Sequence, residues 1–323
     1  MKNLRLQKKT VSADDAPGCP LEESPWSDVQ AWSASQPMRW ETIAPTEPNA
    51  DPEIVRELHT AMLRFCAARS DCFAVLALPR HHREGDALAH AAALTARLGG
   101  IAEPGDVGAR TLSFGALYHP WTVVRTPVAA APLRAIPPDG ATTGVMATRA
   151  NTLGAWAAPA NQPLAGVAIL DPKLPETVRA TFLGRKVNAV APFPRGFMTW
   201  SEETLSDDPE LRGVGVRRLM ILLRRLVLRE GNTYVFEANS PTFRRLVQRQ
   251  FDDLLGGLYV RGAFTGASHA EGYRVVTDDT VNPPQNVDLG RFVVELRVAP
   301  SRPLAFLTVR LVQTGAGLTV QES

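Results

Sequence analysis

Apolar and polar residues along this chain follow two periods, a helical one in the first two thirds and an alternating one near the C-terminus. "DPEIVRELHTAMLRFCAAR" from Asp51 sets Ile54, Leu58, Met62, Phe65 and Cys66 at helical spacing behind an Asp cap and a first-turn proline, which predicts a helix. "CFAVLALP" reads as a buried strand ended by Pro79, and "DALAHAAALTARLGG" as a second helix closed by a glycine pair. "TLSFGALYHPWTVV" is a strand region interrupted at Pro120. After a Pro-Pro turn come a short Ala/Thr helix, a strand in "LAGVAIL", and a helix in "PETVRATFLGRKVNAV" leading to a short strand.

"GVRRLMILLRRLVLREGN" predicts a strong helix, "TYVFEA" a strand, and "NSPTFRRLVQRQFDDLLGGLYVRG" another helix whose stripe is Phe243, Leu246, Val247, Phe251, Leu254, Leu255 and Leu258. The period then changes. In "RFVVELRVAP" Phe292, Val294, Leu296 and Val298 face one way and Arg291, Glu295 and Arg297 the other, the mark of a half-buried strand. "GYRVVTDD", "PLAFLTVRLVQ" and "GLTVQES" extend that pattern. Helices alternating with strands, closed by antiparallel strands, define a mixed α/β layered fold with extended terminal arms. The expected organisation is an irregular arm over residues 1–50, a core domain over residues 51–302, and a C-terminal strand and linker arm over residues 303–323.

Composition narrows the function classes. A chain of 323 residues buries a sizeable core, and a net charge of +2 gives no pull toward nucleic acid or an anionic membrane. No apolar run is long enough for a membrane span, and the basic, then acidic first residues lack the apolar stretch of a secretory signal. The cysteines, Cys19, Cys66 and Cys72, are odd in number and irregular in spacing, which argues against a disulfide framework and for Cys66 and Cys72 as small core residues. Trp26, Trp32 and Trp40 suggest that the N-terminal arm docks on something.

Signatures of catalysis and cofactors are scarce. There is neither a Gly-x-Ser-x-Gly elbow nor a phosphate-binding loop, and "RGVGVRR" lacks the third glycine of a dinucleotide fingerprint. "HHREGDALAH" gathers His81, His82, Glu84, Asp86 and His90, a possible metal set, but adjacent histidines point apart and a solvated loop is the simpler reading. "DDTVNPPQNVD" offers oxygen ligands for a hard cation without the glycine of an EF-hand, and reads better as a polar hairpin connection. The arginines of the helix from Gly215 to Glu230 suit a core helix with Arg stems over apolar surface better than a membrane helix. On the next helix Arg244, Arg245 and Arg249 precede Asp252 and Asp253, against the helix dipole, which suits a face meeting partner charges.

One stretch is unusual. "GAWAAPANQPLAG", Gly154 to Gly166, is an uncharged loop punctuated by proline, too apolar for a linker and too broken for a helix. With it, "PWTVV", "VNAVAPFPRGFMTW", "GVRRLMILLRRLV", "YVFEANSPTF", "GLYVRGAFTG" and "FVVELRVAPSRPLAFLTVRLVQ" follow in an order that resembles contractile tail sheath proteins of phages, R-type pyocins and extracellular contractile injection systems, over roughly residues 70 to 315. The chain departs from the family's pattern in two places: residues 1–50 lack its opening Pro-Gly-Val-Tyr-type strand, and Trp200 is followed by Ser201 where a glycine is common.

The resemblance implies a structural subunit without catalysis, cofactor or metal. Such a subunit polymerises helically with copies of itself and sheath paralogues around an inner tube protein, meets baseplate and cap proteins, and contracts. It is assembled in the bacterial cytoplasm and ends in a phage tail or extracellular particle. Trp156, Pro159 and Asn161 would form a rigid core loop, with Trp156 as buried anchor. Arg244, Arg245, Arg249, Asp252 and Asp253 would touch the inner tube. Gly315, Gly317, Leu318, Thr319 and Val320 would belong to an arm lent to a neighbour by strand addition, while residues 303–313 suit either their own sheet or a neighbour's. Two other readings stand beside this one: a sheath-like baseplate or cap adaptor forming a limited ring, and a metal-dependent enzyme using the His81–His90 cluster.

Overall fold

The computed structural model describes residues 51–99, 110–125, 133–182, 184–234, 237–301, 307–314 and 317–322. The N-terminal arm with its tryptophans, Cys19 and Gly315 lie outside the described residues.

Helix α1 (Pro52–Arg69) starts where Asp51 accepts the Glu53 N–H at 2.9 Å. Its buried stripe is Val55, His59, Leu63 and Cys66, one residue out of phase with the expected one. Ile54 and Phe65 are 64% and 58% exposed, so of the stripe read from sequence only Cys66 is fully buried. The helix carries apolar residues around a wide arc, and spacing alone does not say which part of it meets the core.

Strands β1 (Ala74–Ala77), β2 (Gly115–His119), β6 (Val187–Phe193) and β7 (Gly196–Thr199) form the first sheet, in the order β1-β2-β6-β7. The first three are parallel, so β1 and β2 need a crossover, supplied by α2 (Glu84–Gly99). Alternation divides the sheet's faces. Leu76 and Leu117 pack into a cluster with Leu63, Leu94 and Phe182, whereas Ala116 and Tyr118 pack with Met146 and Val214. Met146 lies on α3 (Pro138–Thr152), a full helix of 15 residues. Helix α4 (Val178–Phe182) is only one turn and a half.

The strand region is interrupted at Pro120, as expected, and there the chain changes sheet. β3 (Trp121–Arg125) lies between β4 (Leu133–Ile136) and β5 (Val167–Asp171) in an antiparallel sheet. Trp121 ties the two sheets by donating its indole N–H to the Leu78 carbonyl at 2.6 Å.

The third sheet is antiparallel, in the order β11-β10-β9-β8, from β8 (Tyr273–Val276), β9 (Phe292–Val298), β10 (Leu307–Thr314) and β11 (Gly317–Glu322). Helices α5 (Val214–Gly231) and α6 (Pro241–Val260) share one core with it, through Leu219, Leu223, Phe251, Leu255, Val294 and Leu296. Short helices α7 (His269–Gly272) and α8 (Pro284–Asp288) fill the connections to β8 and β9.

Several expectations are corrected here. β9 is buried on both faces: Glu295 is 3% exposed and accepts the Arg297 Nε at 2.7 Å, so it is no solvated strand face. "TYVFEA" does not open as a strand. Asn232–Tyr234 is a 3-10 turn, because the buried Tyr234 ring packs edge-on against Phe243 and Phe251 and its hydroxyl reaches Gln250 at 2.5 Å. Leu246, assigned to the α6 core stripe, is 52% exposed.

Candidate functional site

The uncharged loop is a rigid joint. The Trp156 ring lies over Gly154, where an added Cβ would meet ring carbon Cη2 at 2.3 Å and where φ is +128°. The Trp156 carbonyl oxygen sits against the first turn of α5, 2.4 Å from where a Cβ on Gly215 would be. Both glycines are therefore required by close approach. The Asn161 N–H donates to the Thr199 carbonyl at 2.9 Å, and the Thr199 hydroxyl donates to the buried Pro159's carbonyl at 3.1 Å. Asn161 adopts a left-handed backbone (φ 58°) and bridges through that backbone. Trp156 is buried, as the resemblance implied.

Sequence reasoning missed a second joint inside "VNAVAPF". Asn188 is fully buried, and its amide donates to the Leu117 and Glu203 carbonyls at 3.2 and 2.7 Å. Its carbonyl accepts the Ser201 hydroxyl at 2.9 Å and the Glu203 N–H at 2.7 Å. A lone Asn within an apolar strand was the available signal. Next to it the Glu202 carboxylate accepts the Gly215 N–H at 3.4 Å, at the N-terminus of α5, where negative charge is favoured. Arg217, on the same turn of α5, is fully buried with its guanidinium 4.2 Å from the Phe114 ring centre.

Two outward faces carry residues suited to partners. On α6, Arg245, Arg249 and Asp253 are exposed and fall on one helix face with Leu246. Arg244 leaves that set: its side chain is only 11% exposed and donates to Asn239 and Asp279, each at 2.7 Å. Asp252 is half-buried, and burial followed by the neighbouring Asp253 charge raises its carboxyl above the usual range. It lines an open cleft of about 460 Å³ with Gln248, His269, Tyr273 and Arg274 beside β8. The second face was not anticipated. Phe193 and Trp200 stack at 5.5 Å, and the Arg179 guanidinium lies 5.2 and 5.8 Å from their ring centres. Trp200 is 36% exposed. Such aromatic–arginine groupings dominate protein interfaces.

In the single chain the C-terminal ribbon pairs with its own sheet. β11 turns back on β10 within the same chain, pairing Gly317 with Thr314, Leu318 with Gln313, Thr319 with Val312 and Val320 with Leu311. In the single chain these residues complete their own sheet and are not extended toward a neighbour. Among the described residues, β11 and β8 are paired on one side only.

The histidines correct the solvated-loop reading. His59 and His90 sit 3.0 Å apart, Nδ1 to Nε2, in the interface of α1 and α2. The His82 ring lies edge-on to His90, and His119 is fully buried against Phe182. Of the histidines in "HHREGDALAH", His81 is the exposed one, 3.7 Å from Asp171. Among the described residues, no group of three His, Cys, Asp or Glu is placed to hold a metal ion.

Buried joints, an arginine-capped aromatic face, a charged helix face and one-sided sheet edges are the candidate site's principal features. No family model matches the chain. It is similar to the tail sheath proteins of Enterobacteria phage T4 (28% identical over 134 residues) and Vibrio phage KVP40 (27% over 130 residues). These matches cover 39% and 40% of this chain but only 18% of each phage protein. Among solved structures, the sheath complex of the extracellular contractile injection system PVC in its contracted state is 26% identical, with a TM-score of 0.60 over 72% of this chain and 61% of that one. The anti-feeding prophage baseplate in its contracted state shares the fold at a TM-score of 0.62 over 88% of this chain and 77% of that one, at 19% identity. The family these matches support is that of the contractile tail sheath proteins.

Proposed function

We propose that this chain is a structural subunit of a contractile sheath, stacking helically around an inner tube and driving it forward on contraction. The observation that carries this reading is the 26% identity to the PVC sheath across 72% of the chain, on the same fold. The buried joints support it, because a subunit that changes its neighbours without changing itself must move as a solid body. Non-closing contacts between such bodies generate a helical tube. No chemical step is required: energy is stored in the extended array at assembly and released on triggering.

The contacts divide by strength. The Arg245, Arg249 and Asp253 face would meet the inner tube, where exposed charge pairs give a weak contact able to let go. The Phe193, Trp200 and Arg179 face, with the terminal ribbon, would bind neighbouring sheath copies or paralogues. For the ribbon, the β11 hairpin opens and is exchanged on assembly, or β11 offers its free edge to an incoming strand. Baseplate and cap proteins would meet the ends of the array, within a phage tail or an extracellular particle assembled in the bacterial cytoplasm.

The likeness to the anti-feeding prophage baseplate chain supports a second reading, a limited ring at the baseplate. Electron microscopy of the purified full-length chain, with and without a tube protein, separates the two: long striated tubes for a sheath, single rings for an adaptor. Deletion of residues 315–323 is expected to leave a folded monomer that forms neither. A truncated chain that still polymerises would remove the ribbon from the mechanism, and a full-length chain that stays monomeric with tube protein present would remove the sheath reading itself.

A further inference from the structure

Helix α1 carries two apolar stripes, and the fold uses one of them. Val55, His59, Leu63 and Cys66 face the core. On the outward side Ile54, Leu58, Ala61, Phe65 and Ala68 recur at steps of four, three, four and three residues, the spacing of a coiled-coil seam. None of the five is buried, and Ile54, Phe65 and Ala68 are exposed. One flank of this stripe carries Glu57 and Arg64, seven residues apart and both exposed. The helix beneath is firmly held: His59 meets His90 of α2 at 3.0 Å, and Glu53 accepts from Arg97 of α2 at 2.6 Å. The outward stripe is therefore presented on a rigid support.

We propose that α1 pairs antiparallel with α1 of a second copy of this chain, through this stripe, in a closed two-fold dimer. The pattern of charges selects both the partner and the register. With the two-fold axis level with His59 and Thr60, Ile54 faces Phe65 of the second copy and Leu58 faces its Ala61, each twice by symmetry. In that register the flanking positions set Glu57 beside Arg64 of the second copy, and Arg64 beside its Glu57. Sliding the pair by seven residues one way opposes Arg64 with Arg64, and the other way Glu57 with Glu57. A parallel, in-register pair brings Arg64 against Arg69. Of these arrangements the first alone joins opposite charges, and like charges facing one another reject the rest.

Groups around the stripe leave these contacts open. Glu57 approaches Arg97 of its own chain only to 3.7 Å, beyond hydrogen-bond distance, so its carboxylate keeps acceptor capacity for a second arginine. The Arg69 guanidinium lies 5.8 Å from the Phe65 ring centre and closes the end of the stripe. From Ile54 to Phe65 the seam runs roughly 17 Å along the helix. So short a contact makes the chain a monomer when dilute and a dimer when concentrated. A closed two-fold pair stops at two copies and cannot propagate into a tube. The dimer is thus a state of the free chain, and it stands whether or not the sheath reading does.

Sedimentation equilibrium of the full-length chain, from about 5 to about 500 μM, tests this. A monomer–dimer equilibrium is expected. Arg64→Glu and Glu57→Arg each place like charges at both flanks and should weaken the dimer at least ~10-fold. Mixed in equal amounts, the two variants regain both opposite-charge pairs and should form a heterodimer of near wild-type affinity, and the double variant should pair with itself. Damage to the fold gives no such rescue, and circular dichroism checks that each variant is folded. Larger assemblies made through the ribbon or the Trp200 face separate by size and bear on the sheath reading alone. A wild-type chain with no dimer at any of these concentrations, a dimer indifferent to Arg64→Glu, or variants whose mixture does not associate would overturn the proposal.

Discussion

Acidification to about pH 5 is expected to bring the fold close to unfolding, through histidines that the structure keeps neutral. Burial pushes His59 down to about 3, with a further contribution from His90. It pushes His90 to about 4 and His119 to about 3, with His82 adding to both. Around them Arg56 works in the same direction on His90 and His82, while Glu53 opposes it at His90, Asp86 opposes it at His82 and His119, and backbone carbonyls oppose it at His59 and His119. An unfolded histidine titrates near ~6.5. Because the folded values lie lower, the unfolded chain takes up protons first. Stability is fully present above ~6.5 and is lost as the pH falls toward the folded values. At about pH 5 the loss is about 2 kcal/mol per site, or roughly 6 kcal/mol for three, a large part of the roughly 5–15 kcal/mol that holds a domain together. Urea unfolding followed by circular dichroism from about pH 7.5 to about pH 5 measures this. The control is His119→Leu, which removes one titrating ring from its place against Phe182. Whatever that variant loses near neutrality, it should recover about 2 kcal/mol relative to wild type by about pH 5. Identical pH slopes for variant and wild type would refute the argument.

Three further outcomes follow from the joints and faces. Gly215→Ala places a Cβ 2.4 Å from the Trp156 carbonyl and should lower stability by about 1–3 kcal/mol, read as a shift in urea midpoint; an unshifted midpoint would mean that the loop yields. Trp200→Ala should lower stability by about 1 kcal/mol, since the stack is half-exposed, yet abolish tube formation in electron microscopy; normal tubes would clear this face of any assembly role. Combined reversal of Arg245→Glu, Arg249→Glu and Asp253→Lys should leave the thermal midpoint nearly unchanged while preventing co-assembly with tube protein, and unchanged co-assembly would move the tube contact elsewhere.

Local signals were legible where one interaction decides them. The Asp51 cap and the strand break at Pro120 follow directly from residue chemistry. The buried Trp156 was legible from the resemblance. Facing was not. Ile54, Leu58 and Met62 have the same spacing as Val55, His59 and Leu63, and only the partner helix selects between the stripes. The histidines were misread for a related reason. His59, His82, His90 and His119 sit on four different segments, and sequence proximity grouped His82 and His90 with the exposed His81 while leaving out His59 and His119. Arg244 was grouped with a charged face by its neighbours in sequence, although Asp279, 35 residues further on, holds it elsewhere.

The residues that carry reactive chemistry elsewhere are here mostly spent on fixing geometry. His59 bridges two helices, Asn188 ties strand to strand, Glu202 meets a helix end, and Arg217 lies buried on a ring. Each is stabilising only while its partners stay in place, because an unpaired buried polar group costs about 1–3 kcal/mol. A body held this way resists partial rearrangement: sliding one element exposes several such penalties at once. Force applied at the Trp200 face or the α6 face is then transmitted to the opposite surface and is not absorbed inside the subunit. Under the proposed sheath function, that division of labour, polar specificity inside and aromatic or charged contact outside, would let weak exposed contacts change during a contraction while the subunit itself does not.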